Sequence, residues 1–370
     1  MKMKKILFLI FLIFVILCTP VFAVGDENAA DFGQGEIYSD VPEEIREYIP
    51  SDFFDGGTET VKSRLSIGFF LKTAGKILAG TFPRAVRGFA VLIGILVISS
   101  AIGAIGESIA SPSLKNVLSY ISALCVCAAV YEATGGFFSV TKEFISALSS
   151  FVTKLMPVTA ALLCSVGKAG SAAASCAVIS AALAILEGVC SGFLFPLVRI
   201  SFALSAGGAM CGNTGISGIT GAVKKLVTYI LSFVMVLLTI TLSFQSIIAK
   251  GADTLALKGV KFAVGSFIPI VGSAINDAMT TVTGSIGMIR SAVGIAGAAT
   301  VCIMTFSPLL YLLVSKVLTE LSASFATMLG MEREGKFLYD VTGIVGFFIS
   351  LCAVTGIFFI FALSVAAGIL

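Results

Sequence analysis

The chain has 370 residues, 57% of them hydrophobic and only 12% charged, with a net charge of +3 and a mean hydropathy of +1.06. Soluble domains average about 25% charged residues, so this composition excludes an ordinary soluble core and points to membrane spans. The small charge, with no arginine-rich or aromatic-interleaved patch, gives no footprint for nucleic acid.

Histidine is absent, which removes the commonest general base and metal ligand together. The nine cysteines (18, 125, 127, 164, 176, 190, 211, 302 and 352) sit mostly inside apolar runs and form no CxxC pair. That distribution suits small packing residues better than a zinc or redox site. Tryptophan is also absent, leaving Tyr and Phe to mark the membrane interface. Neither a metal nor an organic cofactor is expected.

In chain order, Lys2, Lys4 and Lys5 precede the apolar run from Ile6 to Leu17 and the small-residue site Val21, Phe22, Ala23. This predicts a secretory signal peptide over 1–23. Cys18 follows the bulky Leu17, which makes it a poor lipoprotein site. Residues 24–87 are read as an extracytoplasmic polar region ending in an amphipathic helix. Pro42 and Pro50 bracket a short helical candidate, Glu43 to Tyr48. From Thr58 to Arg87, Leu65, Phe69 and Ile77 alternate with Lys62, Arg64, Lys72 and Lys76, the pattern of a helix lying on a membrane surface. The alternative is a helix that merely covers the bundle.

Residues 88–140 predict a two-span hairpin, Gly88–Glu107 and Val117–Phe138, turning at Ser111, Pro112 and Ser113. Beyond it the chain repeats weakly at an offset of 112 residues. Pro157 and Pro196 recur as Pro269 and Pro308; Val189, Cys190 and Leu197 recur as Val301, Cys302 and Leu309. This divides the remainder into unit 1, 141–252, and unit 2, 253–370. Each unit has three apolar segments: Phe144–Val166, Ala169–Val198 and Leu226–Ile248, then Phe262–Met279, Ile286–Val314 and Val341–Leu363. The expected fold is therefore all-α and polytopic, with about seven or eight membrane segments, the first of each unit broken by proline.

If the broken segments span, the repeats are inverted, as in many transporters; if they are re-entrant, the repeats are parallel. Both arrangements place the loop Lys316–Lys336 in the cytoplasm.

The most distinctive stretch is Lys258–Asp277, where Gly259, Gly265 and Gly272 flank Pro269 within an apolar run. Proline deletes a helical hydrogen bond, and broken backbone survives in lipid only where protein or a wet cavity covers it. A proline-kinked span is the plainer alternative. Lys261, Phe262, Gly265, Phe267, Ile268, Pro269, Ile270, Val271 and Gly272 resemble the most recognisable segment of the stage III sporulation protein AE family, polytopic membrane proteins of endospore-forming bacteria. The resemblance extends to layout. It implies a membrane component of the apparatus linking mother cell and forespore, placed in the mother-cell membrane around the forespore. The implied partners are stage III sporulation proteins AA, AG and AH and stage II sporulation protein Q, besides membrane lipid.

No enzymatic signature is present: Gly167-Lys168 lacks the rest of a phosphate loop, and there is no nucleophile elbow or HExxH motif. The chain is expected not to be an enzyme. Ionisable residues inside membrane segments are the better lead, because they are costly there and usually face a cavity or partner. Glu132, Lys154, Glu187 and Asp277 qualify. Lys154 with Glu187 or Glu132 could form an internal pair, serving either a substrate path or helix packing. Glu132 and Asp277 could equally mark helix ends. The resemblance implies the function of a sporulation-channel component, with a free-standing secondary transporter or a structural scaffold as the alternatives.

Overall fold

The structure, a computed structural model, describes residues 46–49, 67–107, 112–165, 169–211, 219, 221–223, 225–241, 243 and 272–367. The signal peptide and the stretch carrying Lys261, Gly265, Phe267 and Pro269 lie outside these residues. The elements are α1 (Ile67–Glu107), α2 (Pro112–Ser165), α3 (Ala169–Val189), a π turn (Cys190–Leu194) and α4 (Phe195–Cys211). They are followed by α5 (Gly221–Thr241), α6 (Gly272–Met328) and α7 (Glu332–Ala367). No strand occurs among the described residues.

Six helical stretches among the described residues are long and apolar enough to cross a membrane, so the protein is an all-α, polytopic membrane protein. Apolar segments separated in the sequence reading are joined here. Val117–Phe138 and Phe144–Val166 share α2, and Ile286–Val314 belongs to a helix that already starts at Gly272. The reason is local. Between 138 and 144 the chain has Lys142 and Glu143 but neither glycine nor proline, so charge interrupts the hydropathy without interrupting the helix. The same helix runs through position 140, where the sequence reading places the end of the hairpin.

Prolines behave differently according to what packs around them. The expected break at Pro157 does not occur; α2 continues through it. Val152, Leu155, Leu162 and Leu163 on either side are all buried, and that packing offsets one missing hydrogen bond. Pro308 likewise lies inside α6. Pro196 has a visible effect. Its ring would press on the carbonyl four residues back, and immediately before it the helix widens into the π turn, with the Phe195 N–H donating to the Cys190 carbonyl. Such bulges are a recognised way to absorb a misfit residue.

The expected surface helix of 58–87 is, from Ile67, the first part of α1 and continuous with the following span. Ile77 and Thr73 are buried and Phe70 meets Phe306 edge-on at 6.2 Å, so this segment covers the bundle. That is the alternative stated above.

At the centre is the antiparallel hairpin of α6 and α7. In the most apolar stretch of α7, 67% is buried, against 17% in α1; α1 is peripheral. Gly330, with φ 79°, makes the turn, and its N–H donates to the Thr327 carbonyl. A left-handed residue at this point favours glycine. Helix–helix contact in lipid relies on close packing of small residues, and three glycines supply it. A β-carbon on Gly356 would lie 2.5 Å from Thr305 Oγ1, one on Gly335 2.5 Å from Thr327 Cγ2, and one on Gly297 2.7 Å from Leu155.

Helix α2 runs antiparallel to α4, with Phe138 beside Phe195 and Tyr131 beside Phe202, each 5.9 Å apart. Its contacts with α7 step the same way along both chains, from Ser122 and Glu334 to Phe138 and Phe348.

Candidate functional site and family membership

Two charged side chains in the described residues are buried, Lys316 at 8% and Glu334 at 7% exposure. Both belong to the segment the sequence reading makes a cytoplasmic loop. Instead α6 continues to Met328 and α7 begins at Glu332. The signal was available: Leu318, Leu321, Phe325 and Met328 keep helical spacing through the charges.

Lys316 reaches across to α7 where Gly346 leaves room, its Nζ 3.3 Å from the place a β-carbon would occupy. Glu320, one turn along the same helix, supplies the opposing charge. Glu334 stands in the first turn of α7, where the helix dipole favours a carboxylate. Ser122 Oγ of α2 donates to its Oε1 at 3.5 Å.

From Glu334 a line of small polar groups follows the interface of α2, α4 and α7. Cys127 Sγ faces the Ala206 carbonyl at 4.0 Å. Thr342 and Thr141 are buried and donate to the carbonyls of Leu338 and Phe137. The hydroxyls of Ser201 and Ser205, one turn apart on α4, are buried with no hydrogen-bond partner among the described residues. Phe202 stacks edge-on against Phe337 at 5.7 Å and seals this line. Held between apolar helices, these groups can carry a proton or hold water, and they equally lock the register of three helices.

The charges singled out from sequence lie elsewhere. Glu132, Lys154 and Glu187 are all exposed on the outside of the bundle, so none lines an interior path within this chain. Asp277 is in the first turns of α6, where only the backbone is described. Of the prolines, Pro157 and Pro196 face outward, and Pro308 is buried.

Two arginines not singled out by the sequence reading occupy grooves. Arg84 of α1 lies over the Tyr311 ring at 5.5 Å, in a cavity of about 450 Å³ that also holds Glu143, Thr81 and Ser307. Arg199 of α4 lies over the Phe138 ring at 5.3 Å. Among the described residues no group of three or more His, Cys, Asp or Glu could hold a metal ion.

Taken together, these features define a polytopic helical membrane protein with ionisable groups between its helices and more on its lipid-facing side. The sequence model for "Stage III sporulation protein AE" matches residues 51–369, and the chain belongs to that family. Stage III sporulation protein AE of Bacillus subtilis (strain 168) is 29% identical over 189 residues, covering 51% of this chain and 47% of the relative. The matched region is thus about half the relative's length. No solved structure matches.

Proposed function

We propose that this protein is a membrane-embedded component of the mother cell–forespore apparatus, needed for forespore development. It would lie in the mother-cell membrane around the forespore and work with the other stage III sporulation proteins, AA, AG and AH among them, and with stage II sporulation protein Q. Family membership supplies the process, and six apolar helices supply the membrane.

The observation that favours an assembly over a self-contained transporter is the outward position of Glu187, 18 residues or about 27 Å along its spanning stretch from Ala169. A charge on the lipid-facing side of a spanning helix is costly, and a neighbouring subunit removes that cost. Glu187→Gln is therefore expected to leave the isolated protein's thermal midpoint unchanged while weakening co-purification with its membrane partners. Unchanged co-purification would argue that no subunit meets this carboxylate.

The functional reading is tested by a clean deletion in the source organism. Normal vegetative growth with arrest of the forespore after engulfment is expected. Normal spores accompanied by a nutrient or ion defect would overturn the proposal and make the free-standing transporter the working hypothesis.

A further inference from the structure

Arg199 is an arginine inside a spanning stretch, Ala169–Met210, exposed on the outer side of the bundle. No carboxylate among the described residues pairs with it; its neighbour is the Phe138 ring. It opens onto a groove of about 650 Å³ between α2 and α4, lined also by Tyr131, Phe202, Thr134 and Ser139. The lining therefore has one cation, three aromatic rings, three hydroxyls (Tyr131, Thr134 and Ser139) and no acid.

The groove's depth can be placed. Thirty residues separate Ala169 from Arg199, about 45 Å at 1.5 Å per residue. A bilayer with its headgroup layers measures about 40–45 Å. With Ala169 at one face, Arg199 is level with the phosphates of the other. Exposed Phe193 and Ile200 flank it and continue the apolar surface along α3 and α4.

We propose that this groove is a binding site for an anionic phospholipid. The phosphodiester lies against the Arg199 guanidinium, with the Ser139 hydroxyl as a second donor, and one acyl chain runs inward along Phe138 and Phe195, on the side nearer Ala169. Guanidinium and phosphate match in geometry and charge. Thr134 already donates to the Val130 carbonyl and can act only as an acceptor. Because the lining has no carboxylate to receive an amine, phosphatidylglycerol is favoured over phosphatidylethanolamine. This proposal stands independently of the sporulation role.

The test uses the full chain purified in mild detergent, with phosphatidylglycerol or phosphatidylethanolamine added. Retained lipid is measured by native mass spectrometry and the thermal midpoint is recorded alongside. Wild-type protein should retain phosphatidylglycerol preferentially and melt higher with it. Arg199→Gln should weaken retention roughly tenfold, the loss expected for one charge-assisted contact, while Arg199→Lys should retain an intermediate amount. A β-carbon on Gly135, which also lines the groove, meets no atom within 4 Å. Gly135→Leu should therefore block the groove without disturbing the fold, and should lose the lipid with Arg199 intact.

Retention by both Arg199→Gln and Gly135→Leu equal to wild type would overturn the site. So would equal protection by free glycerol phosphate, which would mark a soluble-anion site. Loss of a co-purifying acidic protein in Arg199→Gln, with lipid retention unchanged, would overturn it in favour of a subunit contact.

Discussion

Leucine at Gly356 is expected to separate the central hairpin and cost the protein its folded state at moderate temperature. The glycine lies where α7 crosses Thr305, which is fully buried and held by its own hydrogen bond to the Val301 carbonyl at 2.7 Å. A β-carbon there would approach Thr305 Oγ1, Cγ2 and Cβ at 2.5, 2.6 and 3.0 Å. The Cβ contact leaves no rotamer that relieves it, so the helices themselves move. Overpacking of a tight core costs about 1–3 kcal/mol and sometimes more. Alanine should sit inside that range and leucine above it. Thr305→Ala in the same molecule should recover most of the alanine penalty, because it removes the two closest atoms; the coupling is read from a double-mutant cycle of thermal midpoints in detergent. Gly335→Ala should cost less, since its one contact under 3.0 Å is with Thr327 Cγ2, which is exposed and able to turn aside, leaving the Ala323 carbonyl at 3.2 Å to be relieved by a small shift. Equal penalties at 335 and 356 would show that the seam does not pack as described.

The second large effect is at Lys316. Replacing both members of a buried ion pair by apolar side chains of similar volume is commonly neutral or stabilising by about 1–4 kcal/mol, and because Glu320 is only half-buried, Lys316→Met leaves no fully buried charge behind. Lys316→Met is accordingly expected to raise the thermal midpoint, and Glu320→Ala to lower it by stripping the cation of its opposing charge. If the buried lysine serves the apparatus, Lys316→Met will accumulate to wild-type level or above yet fail to support spore formation. Normal spore formation by that variant would mark Lys316 as a relic of packing. A fall in midpoint would show that its ammonium is well solvated by the surrounding helices.

The difference between what was legible and what was not is clearest in α2. Its buried stripe, Val126, Val130, Phe137, Phe144, Leu148, Phe151 and Leu155, keeps helical spacing straight across Lys142 and Glu143. Hydropathy alone divides the same residues in two, because averaging over a window discards the direction in which each side chain points. The proline signals were legible as positions of stress. Whether stress becomes a break, a π turn or nothing depended on neighbours: Pro157 is flanked by buried leucines, while Pro196 is accommodated by the turn before it.

Composition, periodicity and the order of apolar segments determined by themselves that this is a helical membrane protein, because twenty apolar residues have no stable alternative in lipid. A distinctive run around Pro269 determined its family resemblance. Only the tertiary structure decided which ionisable groups are inside. Glu132 and Glu187 stand amid apolar residues in sequence yet face outward. Lys316 and Glu334, in a charged stretch, are buried between helices. A residue's depth along a helix follows from counting, but the side it presents is set by the partner helix. That partner is distant in sequence: Gly346 makes room for Lys316, and Ser122 meets Glu334 from 212 positions away.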